Sequence, residues 1–177
     1  MINIQYCFMN YLIPEQLETE RLVMRIFQEA DREDLHAYYS DPECVKYTTG
    51  KPFTEYETWQ KIASLIGHWH IRLYGPYVIE EKYSGTIMGF AGPYYPPVWP
   101  DPEIQWSLIK RFWGKGYASE AARAVKRMLL ENLLQLSFIS IIHPANTDSI
   151  HLAEKLHTAF EKDFYFMDTN WHIYRHL

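Results

Sequence analysis

RFWGKGYASEAAR, residues 111–123, sets Gly114 and Gly116 one residue apart at the mouth of a segment with helical period. Ahead of it EIQWSLI alternates and reads as a strand, and behind it SEAARAVKRMLLENLL is a strong helix, so the glycines occupy a strand-to-helix turn. Two readings fit such a pair. It can make a tight turn and nothing more, or it can cradle an anion. A helix N-terminus leaves N–H groups unpaired under a partial positive charge, and a backbone without Cβ atoms can bring its amides close to a phosphate. In the second reading Arg111 and Lys115 add side-chain charge.

Outward from this turn the chain is punctuated evenly. RLVMRIF (21–27) reads as a half-buried strand and EADREDLHAYY as a short helix stopped near Asp41-Pro42. Thr54 and Glu57 form a capping box that opens a helix to about Ile71. YVIEEK, the turn YSG and TIMGFAG make a hairpin, and the proline-rich loop YYPPVWPDP leads into EIQWSLI. Beyond the central helix come a short buried strand SFISIIH, a helix NTDSIHLAEKLH and a closing strand pair, FEKDFYF and WHIYRHL, joined at MDTN.

Composition narrows the function classes. The 177 residues fit one domain, 1–177, with residues 1–15 expected as a loosely ordered extension. Seventeen basic against 22 acidic side chains leave a net charge of −5, the wrong sign for a nucleic-acid or anionic-membrane partner and mildly favourable to a cationic substrate. Cys7 and Cys44 stand far apart without a metal or disulfide spacing, which fits a reducing cytoplasm. The opening MINIQYCFMNYLIP carries no basic leader, and no stretch is apolar enough to span a bilayer. His68 and His70, like His172 and His176, are close pairs without a matching third ligand, so no metal is expected.

Two phosphate-loop types fail against the residues present. A Walker loop needs Lys-Ser/Thr after its last glycine, where Tyr117 stands, and a dinucleotide fingerprint needs a third glycine at Ser119 and an acid ending the next strand. The remaining pattern, Arg-x-x-Gly-x-Gly-x-Ala from Arg111 to Ala118, resembles the acetyl-CoA pyrophosphate loop of the GNAT N-acetyltransferases. LETERLVMR, the DPE at 41–43, GHW at 67–69, WPDPEIQW at 99–106 and IHPANTDSIHLAEKL are similar to the RimJ/RimL-like branch of that family.

The resemblance implies an α/β (α+β) fold. It is a mixed, mainly antiparallel twisted sheet with helices on both faces and a splay between its fourth and fifth strands, EIQWSLI and SFISIIH. It implies acetyl-CoA as co-substrate, with pantetheine along Trp106, Ser107, Leu108 and Ile109 and pyrophosphate on Arg111, Phe112, Trp113, Gly114, Lys115, Gly116, Tyr117 and Ala118. Asn146 and Ser149 are carried over as holders of CoA near its sulfur, and Asn146 also reads as a plain helix cap. Glu103 is the catalytic base by the same resemblance; by its residue type alone it is a surface charge. Many relatives protonate the departing thiolate with a tyrosine seven residues after the asparagine, where this chain has Ala153, and Ser149 is the candidate acid instead.

Gln105, Gln135 and His157 stand where this branch often has glycine. The expectation is an N-acetyltransferase acting on a primary amine, peptide or small molecule, as a monomer or homodimer. A CoA-binding sensor that has lost catalysis is the alternative, and a dinucleotide oxidoreductase is third.

Overall fold

The computed structural model describes residues 10–177. Eight strands form one sheet in the order β1-β2-β3-β4-β5-β6-β8-β7, where β1 is Gln16–Glu18, β2 Leu22–Arg25, β3 Tyr77–Glu81, β4 Ile87–Tyr94, β5 Glu103–Leu108, β6 Ile139–Ile142, β7 Thr158–Phe166 and β8 Thr169–His176. The helices are α1 (Arg32–Tyr39), α2 (Pro42–Val45), α3 (Glu55–Arg72), α4 (Tyr117–Asn132) and α5 (Thr147–Lys155). All neighbouring strands are antiparallel except β5 and β6. The expected architecture is therefore present. The three-residue β1 was too short to read from periodicity, so the expected fourth and fifth strands are β5 and β6.

That one parallel pair opens almost at once. β5 and β6 are in register only at Glu103↔Ile139, aided by the Ile139 N–H donating to Pro102 O and the Ser140 hydroxyl to Ile104 O. Past this hinge the strands diverge, and the β6-facing edge of β5 from Trp106 to Leu108 has no strand partner among the described residues.

Packing explains why the halves hold while the middle opens. Ala121, Ala124, Val125, Met128 and Leu129 on one side of α4 bury against Ile104 and Leu108 of β5 and Met88 and Ala91 of β4. On the opposite face Leu35, Tyr38 and Tyr39 of α1 and Ile62 and Leu65 of α3 close over Phe27, Val78 and Phe90. Beyond the splay a smaller cluster of Ile142, Ala153 and Tyr174 seats α5 on β6 and β8. The capping box is formed as expected: Thr54 Oγ1 accepts from the Glu57 N–H at 3.2 Å, and Glu57 Oε2 accepts from the Thr54 N–H at 2.9 Å.

One expectation needs correction, and one short element is added. The first helix stops before Asp41-Pro42 as expected, and there the Asp41 carboxylate accepts from the Glu43 N–H at 2.8 Å and Pro42 occupies the first helical position, so a further short helix, α2, starts where α1 has stopped. The supposedly loose segment 1–15 is docked from Tyr11 to Pro14. The Tyr11 ring meets Trp69 edge-on at 5.2 Å, Ile13 is buried, and the Tyr77 hydroxyl donates to Pro14 O at 2.6 Å. Apolar side chains at Tyr11 and Ile13 carry this docking; residues 1–9, with Cys7, lie outside the described residues.

At the end of α5 the exposed His157 has φ 56, the left-handed geometry that a side chain disfavours and glycine accepts. His157→Gly is expected to stabilise the fold by about 1 kcal/mol, raising Tm by roughly 2–4 °C in a thermal melt.

Candidate functional site

The loop between β5 and α4 makes one turn of 3-10 helix, Lys110–Phe112, before the two glycines. Gly114 has φ 71 and Gly116 φ 81, and this left-handed pair swings the chain from the sheet into α4. Gly116 is the N-cap of α4 and provides no side-chain cap, so the first-turn amides of this 16-residue helix keep the donors that a serine or aspartate would have taken.

Glu120 lies in that first turn, and an unpaired carboxylate there would repel an anion. It is turned away and paired. Its Oε1 accepts from the Thr19 hydroxyl at 2.6 Å and the Arg21 N–H at 3.0 Å, and its Oε2 takes the Arg21 Nε at 2.7 Å. Partial burial pushes its carboxyl up, but these hydrogen bonds and the Arg21 charge outweigh that and hold it below the ordinary range. The same guanidinium donates from Nη1 to the Lys115 carbonyl at 3.1 Å and stacks 4.3 Å from the Tyr117 ring centroid. Arg21 thus clamps the underside of the glycine loop, with the Lys115 carbonyl drawn to that side.

Against the loop lies a cleft of about 460 Å³, bounded by residues 106–108, 112–114 and 116–119, by α5, and by residues 43–44 and 46–48 around the end of α2. Of the residues singled out in the sequence, Trp106, Ser107, Leu108, Phe112, Trp113, Gly114, Gly116, Tyr117, Ala118, Asn146 and Ser149 line it. Ile109, Arg111 and Lys115 do not. The Ile109 side chain is buried in the α1/α3 core and its N–H is turned toward β4, donating to Met88 O at 2.8 Å. Arg111 and Lys115 are exposed, their cations 4.8 and 5.8 Å from the Phe112 ring centroid, at the rim and not in the wall.

A second cavity of about 90 Å³ lies toward the hinge of the splay and contains Glu103. It shares Tyr47, Thr48, Trp106, Asn146 and Ser149 with the larger cleft, so the two meet there. Asn146 does cap α5, accepting from the Ser149 N–H at 3.2 Å, and it also faces this junction. Ser149 Oγ accepts from Trp106 Nε1 at 3.3 Å, which leaves the hydroxyl proton available for donation.

Glu103 is 8 % exposed, hardly a surface charge. Its Oε2 accepts from Trp99 Nε1 at 2.7 Å and its Oε1 from the Ile141 N–H at 3.3 Å, across the splay. Burial pushes its carboxyl up to about 7, while the Trp99 and Ile141 donors and the Lys61 ammonium pull the other way without cancelling it. Gln105, two residues on, also lines the small cavity, and its Nε2 is buried with no partner. Tyr47 and Thr48 were missed in the sequence. They carry no motif of their own, and only the turn after α2 brings them over the splay.

The histidines have other duties. Both His68 nitrogens are engaged, Nδ1 with Tyr74 O at 3.0 Å and Nε2 accepting from the Tyr95 N–H at 2.9 Å, and burial pushes its pKa down to about 4. His176 is likewise pushed down to about 3 by burial, beside the Ser140 hydroxyl. No helix of the described residues is long and apolar enough to cross a membrane.

Comparison with known proteins agrees with this geometry. Residues 21–158 match the acetyltransferase (GNAT) domain family. The uncharacterized N-acetyltransferase p20 of Bacillus licheniformis is 31% identical over 158 residues, covering 84% of this chain and 84% of its own. An acetyltransferase from Agrobacterium tumefaciens superposes with a TM-score of 0.82 at 28% identity, over 92% of this chain and 94% of that one. RimL, a ribosomal-protein alpha-N-acetyltransferase solved in complex with coenzyme A, shares the fold with a TM-score of 0.72 at 18% identity, over 92% and 96% of the two chains. A glycine loop on an uncapped helix, a splayed parallel strand pair and a family match over most of the chain lead to one conclusion: the protein belongs to the GNAT acetyltransferase family and is an acyltransferase.

Proposed function

We propose that the chain transfers the acetyl group of acetyl-CoA directly to a primary amine, with Glu103 as general base. The observation that carries this reading is a buried carboxyl held near pKa 7 in a small cavity that opens onto the cleft at the splay. A base works best when its pKa lies near the working pH.

The residues present fit acetyl-CoA. A Cβ built on Gly114 would meet nothing within 4 Å, so the loop leaves open space for a bulky anion, and α4 leaves its first amides uncapped. The free edge of β5 suits an extended amide-bearing arm laid beside it as an added strand. Bound there, acetyl-CoA supplies a thioester carbonyl for the amine to attack. In this reading the five residues common to both cavities surround the reacting atoms.

An alkylammonium with a pKa of about 10 must lose a proton before it attacks, and the Glu103 carboxylate takes it. Ser149, whose oxygen already accepts from Trp106, is oriented to return a proton to the departing thiolate. The acceptor cavity of about 90 Å³ admits the amine-bearing end of a peptide or small molecule and leaves the rest outside.

Ala153 supports a second reading. It is fully buried at the position where the family resemblance implies an acid tyrosine in many members, which favours a CoA-binding module with weak catalysis. Thiol release from acetyl-CoA across a panel of peptide, polyamine and small-molecule amines separates the two. Amine-dependent release is the expected result; CoA binding in a calorimeter without release by any amine supports the second reading.

A further inference from the structure

We infer that Trp99 is the positioning residue for Glu103, fixing one carboxylate oxygen so that the other, Oε1, takes the proton. The inference rests on the general-base reading of Glu103 and deepens it.

Trp99 sits in the loop between β4 and β5, and it is tied down on three sides. Its ring meets Phe166 edge-on at 5.0 Å and Phe164 at 6.0 Å, both from β7 beyond the splay. The loop before it is anchored by His68 and by Arg72, whose Nε donates to Tyr95 O at 3.1 Å. After it, Asp101 pairs with Arg175 of β8 at 2.8 Å. The indole N–H therefore meets Glu103 Oε2, at 2.7 Å, from a fixed seat.

The chemistry of the donor distinguishes the two oxygens. An indole N–H donates and cannot accept, so no proton can sit on Oε2 along that bond. Oε1 has only the longer 3.3 Å contact from the Ile141 N–H, which leaves it room for a proton from the amine or from a bridging water. The bond also favours the ionised carboxylate, the form that acts as base. The other groups facing the carboxyl are Lys61 of α3, 4.8 Å from the Tyr94 ring centroid, the Tyr94 phenol of β4 and His143 at the end of β6. None of these is altered by changing Trp99.

Trp99→Phe keeps a ring against Phe164 and Phe166 and removes the N–H. The acid limb of the kcat/KM profile for a fixed amine is expected to move up by about one pH unit relative to the parent enzyme. The loss is then about fivefold at pH 7, shrinking to less than about twofold by pH 9, with KM for acetyl-CoA unchanged. A limb that superposes on the parent's, or a loss equal at every pH, overturns the inference. Where Trp99→Phe does not fold by circular dichroism, Phe166→Leu loosens the seat and leaves the N–H, and it is expected to shift the limb in the same direction by less; no shift there also overturns the inference. Glu103→Gln is measured beside them. If it keeps the parent's turnover and limb, the base reading falls; if it is inactive while Trp99→Phe superposes on the parent, only the role of Trp99 falls.

Discussion

Glu103→Gln is expected to cost at least roughly 100-fold in kcat at pH 7 and to leave CoA affinity within about twofold of the parent, since general-base assistance is worth roughly 100- to 10,000-fold. The side chain lines the small cavity at the hinge and not the cleft, so under the proposed function it has no part in holding the nucleotide. The sign of the pH dependence follows from its raised pKa. Below about 7 the carboxyl is protonated and cannot accept a proton, so the parent rate climbs as pH rises through that value. The variant lacks this limb, and its deficit narrows at high pH as more amine arrives already deprotonated. Glutamine has one acceptor oxygen for two donors, and the 2.7 Å bond from Trp99 takes it in preference to the 3.3 Å bond from Ile141. The resulting stability loss is about 1 kcal/mol, and a thermal melt separates it from the kinetic effect. Turnover within a few-fold of the parent across the pH range would mean that Glu103 is not the base.

How much of this was legible beforehand depends on range. Local signals carried far: the Thr54–Glu57 capping box, the alternation of β2 and the Gly114/Gly116 turn all take the form their spacing implies, because each is decided within a few residues. The site was legible along β5, the glycine loop and the start of α5, where chemistry and chain order coincide. It was not legible where distant segments meet. Tyr47 and Thr48 reach the junction only because α2 forms after Pro42, and Trp99 finds Glu103 only because β7 supplies Phe164 and Phe166 as its seat. The burial that makes Glu103 a plausible base is likewise a property of the assembled splay; its residue type alone reads as a surface charge. Arg21 is the same case: it stands 94 positions from the Lys115 carbonyl that it holds.

Gly116→Val is expected to weaken CoA binding by about tenfold or more in a calorimetric titration while the rest of the fold survives. The reason is not the one that the loop's sequence suggests, a side chain thrust at the phosphate. A Cβ at position 116 has Arg21 Nη2 as its nearest neighbour at 3.5 Å, an ordinary contact on the clamp side of the loop. The strain comes from φ 81, which a β-branched residue hardly tolerates. Relieving it means rotating the backbone at the N-cap of α4. That movement pulls the Lys115 carbonyl off Arg21 and turns the first-turn amides away from the cleft. Each charge-assisted hydrogen bond so lost is worth about 1.5–3 kcal/mol, and one alone accounts for tenfold or more in affinity. Gly114→Ala is the companion variant: its φ of 71 brings strain too, but its Cβ meets open space and alanine is smaller, so a milder loss is expected. A folded Gly116→Val protein with the parent's affinity for CoA would remove the glycine loop from the binding site, and with it the premise that α4 presents its N-terminus to phosphate.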